Sequence, residues 1–113
     1  MTSNEFRSIA LSFPDAVEKS HFDHPDFRVT GKIFATLGYP RKGYGVVKLT
    51  QKQQRELVLS DPNAFLPVKG KWGLRGATTI LLRLARKSVV QSALALAWQN
   101  AAPKSLTRRI HFQ

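Results

Sequence analysis

The segment His21-Phe22-Asp23-His24-Pro25-Asp26 is the densest group of metal-ligating and proton-transferring side chains in the chain. Histidines three apart share a face on a helix, but Pro25 disfavours helix just before it and puts His24 in extended or turn geometry. A metal site needs three or four ligands, and His111 is the only other histidine. No known ligand spacing is present. The segment therefore reads as a loop whose Asp and His side chains cap backbone groups, with no metal bound. Gly70, Gly73 and Gly76 recur every third residue. A phosphate cradle needs glycines at a helix N-terminus with a following Lys and Ser or Thr. Here the glycines lead into a strand pattern, so they read as turn residues. Gly-x-Ser-x-Gly does not occur, there is no cysteine, and five of the seven acids lie within the first 27 residues. Paired-carboxylate, thiolate and serine chemistry thus have little to work with, and the chain is expected to be no enzyme and to hold no cofactor.

A second pattern is basic and aromatic. Arg28, Lys32, Arg41, Lys42, Lys48, Lys69, Lys71 and Arg75 fall on strand and turn segments, with Phe34, Tyr39, Tyr44 and Trp72 among them. Lys and Arg on one face neutralise phosphates, and aromatic rings stack on unpaired bases. The competing reading is a polar strand face over core aromatics. Phe34 and Trp72 fit the core better on size alone. Charge supports the first reading: residues 1–27 sum to −3 and residues 28–113 to +14, for +11 overall. So few acids cannot partner so many cations, and most must face water, where they attract polyanions. The candidate nucleic-acid-binding residues are Arg28, Lys32, Arg41, Lys42, Lys48, Lys69, Lys71, Trp72 and Arg75.

A chain of 113 residues with 42% hydrophobic side chains is one domain with one core. Absence of cysteine fits a reducing cytosol. The start Met-Thr-Ser-Asn-Glu has neither a basic n-region nor an apolar h-region, so no signal peptide is expected. The longest apolar run, Ile80-Leu81-Leu82, cannot span a bilayer, and a cytoplasmic, non-membrane protein is expected. Phe6, Ile9, Ala10 and Phe13 form a helical stripe, capped at Ser3 or Asn4 and stopped by Pro14. Phe27 and Val29, then Ile33, Ala35 and Leu37, alternate around a turn at Thr30-Gly31-Lys32, which predicts a hairpin. Tyr44 to Leu49 adds a third strand after the loop 38–43. Thr50-Gln51-Lys52-Gln53 is a capping box and opens a helix to about Ser60 with a thin apolar stripe, Leu57 and Val58. Residues 63–77 read as an ordered loop or short hairpin, Thr78 to Leu84 as a strand. Arg86 to about Ala101 reads as a helix with Val90, Leu94 and Trp98 on one face. Residues 1–105 then make the domain and 106–113 a basic tail. The order predicts an α+β domain, helices packed on one face of a mainly antiparallel sheet.

The segments resemble a known family. Phe6-Arg7-x-x-Ala10-Leu11-x-Phe13-Pro14-x-Ala16-Val17-Glu18 comes first, followed by His24-Pro25-Asp26-Phe27-Arg28-Val29 and Gly31-Lys32-Ile33-Phe34-Ala35. Val47-Lys48-Leu49, Trp72-Gly73, Ala97-Trp98 and Ala102-Pro103-Lys104 complete a pattern similar to the MmcQ/YjbR family over residues 5–105. The resemblance implies a bacterial protein with a CyaY-like, double-wing α+β fold and a DNA-binding role. It places His24, Pro25, Phe27, Arg28, Lys32, Phe34, Lys48, Trp72 and Lys104 at matching positions and implies no catalytic residue. The expected partner is nucleic acid, DNA ahead of RNA, bound largely without sequence specificity; the oligomeric state stays open. The alternatives are a protein-interaction adapter and a small-ligand or metal-binding domain.

Overall fold

Eleven elements are laid out in a computed structural model that describes residues 1–110. The first helix, α1 (Ser3–Leu11), begins one or two residues earlier than the expected cap at Ser3 or Asn4 allows. Thr2 is the cap: its hydroxyl accepts from the Glu5 amide and the Glu5 carboxylate accepts from the Thr2 amide. Phe6, Ile9 and Ala10 are its buried stripe.

Six antiparallel strands follow in the order β1 (Ala16–His21), β2 (His24–Val29), β3 (Lys32–Leu37), β4 (Tyr44–Lys48), β6 (Ala77–Leu81), β5 (Phe65–Pro67). The α+β expectation is met. The segment around His21, read as loop, is corrected: it is a hairpin. β1 pairs with β2 from Ala16↔Val29 to His21↔His24, and Phe22 and Asp23 form the turn, both with positive φ. β1 escapes the sequence pattern because it is an edge strand with four exposed central residues, so its residues show no alternation between core and solvent. The Thr30-Gly31 turn is where the pattern puts it, again with positive φ at both residues.

The β2–β3 pairing carries one irregularity. Phe27 pairs with Ala35 and Arg28 with Ile33, so Phe34 is an extra residue on β3. A bulge re-aims side chains, and Phe34 and Ala35 both enter the main core.

One face of the sheet is covered by α1 and by α4 (Lys87–Ala101), which lies on β3 and β4. Phe27, Val29, Ala35, Val47 and Ile80 meet Phe6, Val90, Leu94 and Trp98 there. Trp98 stacks on Phe13 at 6.0 Å and its indole N–H donates to the Pro14 carbonyl at 3.0 Å. The helix α2 (Gln51–Ser60) has the capping box read from sequence, Thr50 with Gln53, and its buried residue is Gln54, with Leu57 and Val58 half-buried. Two short pieces were not legible as regular structure: β5 and the single turn α3 (Lys71–Leu74). Residues 106–110, expected as part of a basic tail, instead belong to α5 (Lys104–Ile110), and Leu106 is part of the main core. Residues 111–113 of that expected tail, His111 included, lie outside the described residues. Among the described residues no helix is long and apolar enough to cross a membrane.

Candidate nucleic-acid interface

The sheet face away from α1 and α4, the open side, carries a small buried cluster of Val46, Val68 and Ala77 with Tyr39 packed on it, and strand alternation decides what else it displays. Val47 points into the core, so its neighbours Val46 and Lys48 point to the open side. Lys48 pairs with Ala77 of β6. The chain entering β6 is folded down beside it as α3. Two glycines make that close approach possible. A Cβ on Gly73 would lie 1.6 Å from the Val68 carbonyl oxygen, and one on Gly76 would lie 2.0 Å from that of Leu49. The buried Gln54 amide ties the same segment to α2, donating to the carbonyls of Gly73 and Ala77, each at 2.9 Å. Gln51 adds a bond to the Leu74 carbonyl at 2.7 Å.

This scaffold holds Trp72 beside Lys48, with the ammonium 5.4 Å from the ring centre. Trp72 remains 39% exposed, so the expectation that it belongs to the core is corrected. Phe34 is fully buried as expected. Burial pushes the Lys48 pKa down, and the charge of Asp26 opposes the shift only in part. Lys48, Trp72, Arg75 and Asn100 line a cleft of about 420 Å³. Lys48 and Asn100 also line a neighbouring cleft of about 450 Å³ together with Lys32. Lys69 and Lys71 are exposed at the entry to α3. Among the described residues, none of Lys32, Lys48, Lys69, Lys71 and Arg75 takes part in an ion pair.

The remaining candidates are placed differently. Arg28 is on the open face but donates to both oxygens of Asp26, at 2.7 and 3.1 Å. Asp26 is fully buried and also accepts from Nδ1 of His21 at 2.7 Å. The Arg28 hydrogen bond is the chief reason the Asp26 carboxyl is held below its usual range, with His21 adding to it against the cost of burial. Arg28 therefore serves an internal acid first. Arg41 and Lys42 sit at the opposite end of the β3–β4 hairpin from Lys32, about 17 Å away at the rise of an extended strand. Arg41 lies over the Tyr44 ring and bonds its hydroxyl at 3.0 Å. Lys52, Arg55, Arg83, Arg86, Lys87, Lys104 and Arg108 are on other elements. Lys32, Lys48 and Arg75 thus line two adjoining clefts, while the other cations are spread over the rest of the domain.

Sequence reasoning missed a row of rings on this side. Trp72 meets Tyr39 at 6.1 Å, Tyr39 meets His24 at 5.8 Å, His24 meets His21 at 6.4 Å and His21 meets Phe22 at 6.0 Å, all edge to face. The pairing of His21 with His24 was readable only once β1 was recognised as a strand. Among the described residues no three His, Cys, Asp or Glu side chains are grouped to hold a metal ion.

The YjbR family model matches residues 11–100. The chain belongs to the YjbR family. Two solved structures carry the same architecture. Deinococcus radiodurans protein DR2400, with family-model domain DUF419, superposes at a TM-score of 0.74 and 16% identity, covering 96% of this chain and 86% of its own. A protein from Pseudomonas syringae superposes at 0.69 and 14% identity, covering 89% and 99% respectively. At such identities the likeness is one of fold. No curated protein matches the chain. In this YjbR protein the matched span includes both sheet faces and the whole Lys48–Trp72 cleft, with only Ala101 of the Lys32 cleft lying just beyond it.

Proposed function

We propose that this YjbR protein binds nucleic acid, DNA foremost, through the flank built by Lys32, Lys48, Lys69, Lys71, Trp72 and Arg75, largely without sequence specificity. The observation that carries the reading is the convergence of Lys48, Trp72 and Arg75 on one cleft with no acid paired to either cation. Unpaired cations on a domain of net charge +11 release counterions when they meet phosphates. Phosphate contacts position a strand without reading its bases, which is why little sequence preference is assigned. Arg28, occupied by Asp26, is given a supporting place, and Arg41 and Lys42 are left as a separate, peripheral contact. The protein is given no reaction of its own and a cytoplasmic setting.

The adapter reading is less well supported. It needs a contiguous apolar patch, whereas the most exposed large apolar residues, Phe22, Leu59 and Leu74, sit on a hairpin turn, α2 and α3. Affinity for labelled DNA measured across a salt series tests the proposal. A Kd of about 10⁻⁴–10⁻⁶ M at physiological salt is expected, weakening steeply as salt rises. Lys48→Ala with Arg75→Ala should weaken binding and reduce the slope of log K against log salt by about 2. Unchanged affinity and slope in the double variant would place the binding surface elsewhere.

A further inference from the structure

We infer that the occupant of the open sheet face is a single-stranded segment of nucleic acid, its bases laid along the ring row from Trp72 to Phe22; this rests on the nucleic-acid reading above. Three observations carry it. The first is the row itself. Five rings from four separate parts of the chain, α3, the β3–β4 loop, the start of β2 and the β1–β2 hairpin, succeed one another at 5.8–6.4 Å. Tyr39 packs on the small cluster of Val46, Val68 and Ala77, but His21, Phe22, His24 and Trp72 belong to neither hydrophobic cluster, and the main core lies on the opposite face. Base–aromatic stacking tolerates any sequence, since every base has a π-face.

The second is Phe22. It is 91% exposed at the tip of the β1–β2 turn, with φ of 48°. A two-residue turn of this kind favours Asn-Gly, and a bulky side chain at positive φ is disfavoured. Phe22 gives nothing back through burial, so its position makes sense as a contact to a partner. Strain of this sort accumulates at functional positions.

The third is charge placement along the row. Lys48 lies against Trp72, and Arg75 shares its cleft. At the other end Lys19 is exposed on β1, on the open side, where it pairs with Asp26. Asp26 itself is neutralised by Arg28 and His21, and Asp23 is the acid beside Phe22. Cations thus gather at the Trp72 end of the ring row, with Lys19 balancing Asp23 at the Phe22 end, and cations beside stacking rings are the combination that binds single strands. A duplex keeps its bases stacked on each other and offers the rings no free faces.

The test compares a 12-nucleotide oligothymidine, the matching oligouridine and a 12-base-pair duplex at one salt concentration, with the full chain. Either single strand is expected to bind at least tenfold tighter than the duplex. Trp72→Ala should cost single-strand affinity about tenfold and leave duplex affinity within twofold. Phe22→Ser, at a site too exposed to unfold the domain, should lower single-strand affinity several-fold. Single-strand binding should also quench the Trp72 emission, while buried Trp98 supplies an unquenched background. A duplex bound as tightly as the single strands, or ring variants that leave single-strand affinity unchanged, overturns the inference and leaves nucleic-acid binding standing. If none of the three probes binds even at low salt, the nucleic-acid reading itself fails.

Discussion

The Lys48 ammonium lies 5.4 Å from the centre of the Trp72 ring although the two residues belong to different elements, β4 and α3. Their meeting depends on α3 being folded down against the carbonyls of Val68 and Leu49. The contact offsets part of the desolvation of Lys48, since a cation over an aromatic face contributes about 0.5–1 kcal/mol at a partly exposed site. Burial still lowers the Lys48 pKa. A lysine with a depressed folded-state pKa destabilises the fold at every pH below that pKa, and the cost fades as pH rises through it.

Lys48→Met is therefore expected to raise stability at pH 7 by up to about 1 kcal/mol while weakening polyanion binding, a trade common at binding sites. Thermal unfolding from pH 7 upward checks it. The advantage of the variant should shrink as pH approaches the ordinary lysine pKa of about 10.4. A variant less stable than the parent at pH 7 would mean that the ring contact outweighs desolvation.

Asp26 gives the opposite pH dependence. Its folded-state pKa is lowered chiefly by the Arg28 hydrogen bond. A carboxylate with a depressed pKa contributes stability that is full above the unfolded-state value, near 3.9, and is lost as pH falls below it. Asp26→Asn should cost about 2–4 kcal/mol at pH 7, because it leaves Arg28 without its countercharge on a fully buried partner. The gap between parent and variant should narrow below pH 4. Urea unfolding at pH 7 and pH 3 reads both, and a gap independent of pH would show that the ion pair is not the source of the loss.

The fold was legible where apolar periodicity is strong. Phe6, Ile9 and Ala10, the alternation of Phe27 and Val29, and Val90, Leu94 and Trp98 all announce the core face. It was illegible where burial is decided by distant parts. β1 pairs along one edge only and exposes four successive residues, so Val17, Glu18, Lys19 and Ser20 carry no period. Asp26 looks like a loop acid until β1 brings His21 alongside it. The Lys48 site was half visible: the residue types pointed to polyanions, but nothing in the spacing revealed that Arg28 is engaged internally or that Arg41 and Lys42 lie at the far end of a hairpin. Trp72 was read toward the core because ring size alone favours it, and only the glycine-dependent fold of α3 leaves it exposed.

α5 supplies a prediction about the end of the domain. Leu106 is buried in the main core, so Leu106→Ala should destabilise by about 2–4 kcal/mol, as for other buried leucines. Chemical denaturation measures this directly. A loss under 0.5 kcal/mol would return the segment to the status of a tail.

Gly73 links sequence spacing to the proposed binding site most sharply. The triplet Gly70, Gly73 and Gly76 reads as turn residues, but Gly73 lies within α3 and acts through packing: it has no room for a Cβ, which would lie 1.6 Å from the Val68 carbonyl oxygen, a backbone atom that cannot rotate away. Gly73→Ala must therefore lift α3 from the sheet and break the Gln54 bond to the Gly73 carbonyl. Overpacking of this kind costs about 1–3 kcal/mol. Since α1, α4 and the main core lie on the other face, the loss should be local. The expected result is a domain that still unfolds cooperatively, with red-shifted Trp72 emission in a Trp98→Phe background and weakened polyanion binding. Wild-type emission and affinity in the Gly73→Ala protein would show that α3 is not what holds Trp72 beside Lys48.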